Sequence, residues 1–138
     1  MHADGFLAPE NAAAAREAYE SVGPGAQVVV KEVAKAMELD AEEYDERVNA
    51  DVIETARDAM FASLLEVRVG TSEEFQQWAE SYDGEVEVLG AENVDNVAWH
   101  AGPGDEAVAA TFQDEEAAAV GTLRRQAYGR IYREIIAE

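Results

Sequence analysis

Apolar residues change their spacing near the middle of this chain, and that change restricts the folds open to it. Tyr44, Val48, Val52, Ala56, Met60 and Leu64 return every four residues, which places them on one side of a helix. Beyond Glu66 the interval falls to two. "EVEVLG" (85–90) alternates acidic and apolar residues. "NVAWHAG" (96–102) sets Val97, Trp99 and Ala101 on one face, and "AVAATFQ" (107–113) aligns Val108, Ala110 and Phe112. Such alternation marks half-buried strands. At 138 residues the chain is the size of one domain, so both halves must share a core.

Turn and capping residues place the element ends. Pro9 suits a first helical position, Ala12 to Ala15 favour helix, and Gly23-Pro24 ends it. A second helix spans about 25–39, with Val29, Val33, Ala36 and Met37 as its apolar side. Asp40 with Glu43 opens a long third helix to Leu64, whose stripe Ile53, Ala59 and Leu65 widen. A short strand is expected at 66–69. Thr71 and Glu74 form a capping box for a short helix carrying Phe75, Trp78, Ala79 and Tyr82. Asp114 caps a final helix to about Ile136. The fold predicted is α+β and a single domain over 1–138. About three N-terminal helices (9–65) pack with a small, mainly antiparallel sheet of three to four strands and a long C-terminal helix (66–138). The last three strands would form a meander, with helices on one face of the sheet.

Charge sets the environment. Thirty acids against ten bases give a net charge of −20, and the bases include only two lysines, Lys31 and Lys35. Like charge of that size opposes compaction. Molar salt shrinks the Debye length to about 3 Å and removes most of the repulsion. The composition therefore predicts a protein of a salt-accumulating cytoplasm, with K⁺ or Na⁺ held loosely at its acidic surface. "MHADGFLAPEN" has neither the basic nor the apolar region of a signal peptide. No apolar run approaches bilayer length, so no membrane contact is expected.

Few residues invite chemistry. Without cysteine there is no disulfide, thiolate nucleophile or thiolate metal site. His100, in "AWHAGPGDE", is the credible catalytic histidine, and Asp105 or Glu106 would complete a general-base pair. No nucleophile motif accompanies it, and no GK[ST] follows the glycines to cradle phosphate. No cofactor and no metal site is expected: an EF-hand pattern is absent, and "ENVDN" (92–96) offers only weak cation contact. Residues 28–48 have the outline of a helix-turn-helix, but Glu38 to Glu46 holds six acids and no base. Such a helix repels phosphate, so no nucleic-acid binding is expected. Phe75, Trp78, Tyr82, Trp99 and Phe112 would fill the space between helix and sheet.

"TLRRQAYGRIYRE" (122–134) gathers four of the ten bases. At 100° per residue the last helix presents Val120, Leu123, Ala127, Ile131 and Ile135 as its core stripe. Arg125, Arg130 and Arg133 spread round the polar side and complement the helix dipole. Arg124 projects into the apolar stripe and needs a carboxylate from another element; Glu66, Glu87 and Asp51 are the candidates. Ile136, Tyr132 and Arg125 form a flank suited to a second subunit.

The segments "EVAKAME", "VIETARDAMFASLLEV", "NVDNVAWHA" and "AVAATFQDEEAAAVGTLRRQAYGRIYRE" resemble an uncharacterised family of halophilic archaeal proteins, a domain of unknown function. The resemblance covers nearly the whole chain and implies no activity, cofactor or catalytic residue. The function expected is that of a non-enzymatic, salt-adapted, cytoplasmic protein acting through a protein interface, as a homo-oligomer or with an accessory partner. Two alternatives stand beside it. One is a small enzyme or small-molecule binder using His100 near the Gly-Pro-Gly turn. The other is a transcription-associated regulator with a degenerate helix-turn-helix.

Overall fold

The computed structural model describes residues 1–137. Strand β1 (His2–Asp4) is followed by helices α1 (Ala12–Ser21), α2 (Gly23–Ala36), α3 (Ala41–Arg47) and α4 (Ala50–Leu64). Then come β2 (Val67–Thr71), α5 (Ser72–Ser81), β3 (Glu85–Leu89), β4 (Asn96–Ala101) and β5 (Glu106–Phe112). The C-terminal helix runs as α6 (Glu116–Ala127), a π-helical turn (Tyr128–Tyr132) and α7 (Arg133–Ala137).

The fold is α+β, but its sheet is not the small, mainly antiparallel one of three to four strands. It has five strands in the order β1-β2-β4-β5-β3 and is mixed. β3 pairs parallel with β5 (Val86↔Ala107, Val88↔Ala109), so there is no three-strand meander. The cause lies in β4, whose residues Val97, Ala98, Trp99 and His100 are all buried. A strand covered on both faces belongs in the middle of a sheet. The hairpin to β5 (Trp99↔Ala109) and antiparallel pairing with β2 (Arg68↔Trp99) fill both its edges. β3 is left with the outer edge of β5. At the opposite edge β1 pairs antiparallel with β2 (Ala3↔Arg68).

Helices cover both faces of the sheet, not one. The larger core joins Ala15, Tyr19, Phe61 and Leu65 to Leu123, Ala127 and Ile131 across Val67, Ala98 and Val108. The smaller core lies under α5, where Phe75 meets Val97, Trp99 and Ala109. Trp78 stacks on Tyr82 at 4.7 Å, and Phe112 packs with the larger core. Thr71 and Glu74 close a reciprocal capping box at the start of α5.

The helices depart from expectation at several points, beginning with α1, which starts at Ala12 under an Asn11 cap and not at Pro9. The long third helix is two helices, because Asn49 caps a new start by accepting from Val52 N at 3.0 Å. α2 turns Ala26, Val30 and Ala34 inward, leaving Val29, Val33 and Met37 exposed. The C-terminal helix starts after Glu115 without a side-chain cap, not at Asp114. Its π-turn adds a residue to one turn and brings Tyr132 onto the core side beside Tyr128. Tyr132 is therefore buried and belongs to no exposed flank, and Ile136 packs partly against the same core.

Candidate functional site

Phe61 of α4 is fully buried, and three tyrosine rings meet it edge-on: Tyr19 at 5.8 Å, Tyr128 at 5.9 Å and Tyr132 at 5.2 Å. Buried tyrosines need partners for their hydroxyls. Two of the three share one. Asp58 lies three residues before Phe61 and so on the same side of α4. Its Oδ1 accepts from the Tyr19 hydroxyl at 2.6 Å and the Tyr128 hydroxyl at 2.8 Å. Burial, then the Asp58 carboxylate, pushes the Tyr19 phenol up to about 12. The same causes raise Tyr128 further. Both phenols stay protonated and serve as donors.

This cluster forms the floor of a groove of about 580 Å³ between α1, α4 and the C-terminal helix. Two guanidiniums stand over it. Arg57 lies 4.3 Å above the Tyr19 ring and donates through Nε to the Tyr19 carbonyl at 2.9 Å. Gly23 gives it room, because a Cβ there would come within 3.2 Å of the guanidinium carbon. Arg133 sits 5.6 Å over the Tyr128 ring. These are cation–π placements, which fix long side chains that would otherwise move freely. Glu54, Ile53 and Ile136 complete the walls.

His100 is part of a separate lock. It is 2% exposed. Its Nδ1 lies 2.6 Å from the Glu66 carbonyl, which can only accept, so Nδ1 carries the proton. Nε2 is then the acceptor for the Tyr132 hydroxyl at 2.6 Å. Burial lowers the His100 pKa and raises that of Tyr132, so both stay neutral. With both ring nitrogens engaged, His100 has no lone pair for a general base, although a cavity of about 150 Å³ adjoins it. The expected pairing with Asp105 or Glu106 does not form. Across the hairpin His100 faces Val108. The Asp105 carbonyl accepts from Glu85 N, and the Glu106 carbonyl accepts from Gly102 N.

Arg124 points inward, with its side chain 15% exposed. Its carboxylate is Asp4, at 3.9 Å, and not Glu66, Glu87 or Asp51. The stronger contacts are to carbonyls: Nε donates to Leu65 at 3.0 Å and Nη2 to Asp4 at 3.2 Å. Glu66 and Glu87 pair instead with Arg68 and Arg130, each at 3.6 Å, and Asp51 lies in the exposed first turn of α4. The candidates failed because β1 carries no strand pattern in the sequence. Gly5 follows it with φ +83°, and a Cβ there would lie 2.5 Å from the Leu65 carbonyl, so only glycine lets β1 lie this close to the Arg124 contacts.

Sequence reading missed the groove. Tyr19 and Tyr128 are 39 and 70 residues from Asp58, and no local motif connects them. The available signal was the adjacent pair Arg57-Asp58 beside an apolar helical stripe. Among the described residues, no group of three or more His, Asp or Glu side chains is placed to hold a metal ion. Asp95, in the loop read as a weak cation site, accepts from Gln113 Nε2 at 2.7 Å. No helix among the described residues is long and apolar enough to cross a membrane. No curated protein and no solved structure matches the chain. Residues 6–133 match the model of a family of unknown function, DUF5809, and the chain belongs to that family.

Proposed function

We propose that this is a salt-adapted intracellular protein of a halophilic archaeon that works through a protein interface, and that the interface joins two copies through α2 and α4. One observation carries the reading. Val28, Val29, Val33 and Met37 of the α2 segment and Val52 of α4 are 40–59% exposed. Val29, Val33, Met37 and Val52, which sequence spacing offered as core, are thus part of an outward apolar surface on a very acidic molecule. Such a surface favours being covered. The same segment carries both signs of charge: Lys31 and Lys35, the chain's two lysines, with Glu32, Glu38 and Asp40. A patch bearing both signs beside apolar residues can match itself across a two-fold axis, as an isologous dimer requires.

Light scattering in molar KCl tests this. The expected mass is that of a dimer, and Val33→Glu should give a monomer with an unchanged circular dichroism spectrum. A monomeric wild-type chain at micromolar concentration would exclude the interface.

The regulator alternative finds little support in the geometry. Its would-be recognition helix, α3, is seven residues long and carries Glu42, Glu43, Asp45 and Glu46.

A further inference from the structure

We propose that the groove between α1, α4 and the C-terminal helix binds a small zwitterion of the amino-acid class. Its carboxylate would lie on Arg57 and Arg133, and its ammonium on the open oxygen of Asp58.

The arginines come first. Among the described residues Arg47 and Arg125, like Arg57 and Arg133, lack a carboxylate partner, but only Arg57 and Arg133 line this groove and are held over tyrosine rings. Arg68, Arg124 and Arg130 each have a carboxylate partner. Among the described residues, neither Arg57 nor Arg133 lies within 4.0 Å of a carboxylate oxygen. Arg57 spends only Nε, on the Tyr19 carbonyl, and its two Nη groups have no partner among the described residues. Among the described residues, the Arg133 head makes its contact with the Tyr128 ring and no hydrogen bond. Both heads are held in place by tyrosine faces while their donors remain open, an arrangement suited to a carboxylate.

Asp58 supplies the opposite sign. Both phenols use Oδ1, and Oδ2 has no partner among the described residues. The charges lining the groove are Arg57 and Arg133 against Glu54 and Asp58, two of each sign. The net charge of −20 repels a simple anion from any distance at which it is unscreened. In molar salt that barrier is screened, and the choice falls to contact: a zwitterion has both charges matched, whereas a simple anion leaves Asp58 and Glu54 unmatched. The groove's 580 Å³ falls within the usual size of small-ligand sites, and Ile53 with Ile136 gives an aliphatic side chain a wall.

The test is an NMR titration of the ¹⁵N-labelled full chain in molar KCl. The probes are L-leucine, L-phenylalanine and glycine, with N-acetyl-L-leucine lacking the ammonium and L-leucinamide lacking the carboxylate. At least one zwitterion should shift amides around Tyr19, Asp58 and Tyr128. Each singly charged analogue should bind about tenfold more weakly, a difference of about 1.4 kcal/mol. Arg133→Gln should lose the same factor for the zwitterion. Asp58→Asn keeps an oxygen for both phenols and should bring the zwitterion down to the level of its N-acetyl form. If no zwitterion moves these amides, or if the N-acetyl form binds as well as its parent, the proposal is wrong. The wild-type comparison decides this even where a variant fails to fold.

Discussion

His100 shows how a single side chain can set an acid limit. Its ring is buried and neutral, and its pKa is lowered, first by burial. An unfolded chain regains an ordinary imidazole near 6.5. Between that value and the depressed native one, the unfolded state binds a proton that the native state refuses. The stabilising difference is therefore complete above about pH 6.5 and is lost as the pH falls below it. Denaturant unfolding in molar KCl should show stability declining from pH 7 to pH 5, with the same slope in a His2→Asn control. A flat profile would mean that His100 is not held neutral. Sequence inspection offered this residue as a catalytic candidate, and the structure shows both of its ring nitrogens engaged. The partners that occupy its nitrogens are a carbonyl 34 residues away and a hydroxyl 32 residues away, and neither leaves a local pattern.

Helix ends and strand edges tell a similar story at the next scale. α2 closes with a Schellman motif: Leu39 N donates to the Ala34 carbonyl at 3.4 Å and Glu38 N to that of Lys35 at 3.1 Å. The left-handed position, φ 55°, is occupied by Glu38 where glycine is favoured. Glu38→Gly removes that strain and a surface acid, and should stabilise the chain by about 1 kcal/mol. Chemical denaturation measures it, and a loss of stability would contradict the assignment. Elements with a strong local signal were legible beforehand. β4 and β5 alternate, and α5 announces itself through Thr71 and Glu74. β1 was not legible, because its three residues are all exposed and show no period. α2 was read inside out because Ala26, Val30 and Ala34 and the set Val29, Val33 and Met37 are both apolar. Spacing alone cannot say which set faces in. The π-turn defeated a 100° projection, which put Tyr132 on a flank.

The whole molecule answers to its charge. Five ion pairs are present among the described residues, and four involve groups at least one-third exposed on both sides. Pairs of that kind contribute little, so they do not offset the repulsion among thirty acids. Dilution from molar to millimolar KCl should lower the melting temperature and loosen the fold, followed by circular dichroism. An unchanged melting temperature would show that close packing alone suffices. The acids are legible in the sequence as a net charge of −20, whereas the mixed sheet and the Asp58 groove depend on long-range pairing that composition does not encode.

The Arg124 contacts reach furthest. Arg124 holds Asp4, His2 lies 3.1 Å from Glu116, and Arg16 donates to the Ile135 carbonyl. Residues made early in synthesis are thus fastened by residues made late. β1 can pair with β2, and α1 can pack on α4, as soon as those elements exist. The contacts that fasten them, to Arg124, Glu116 and the Ile135 carbonyl, wait for the C-terminal helix. One turn of that helix, Tyr128–Tyr132, completes both polar clusters.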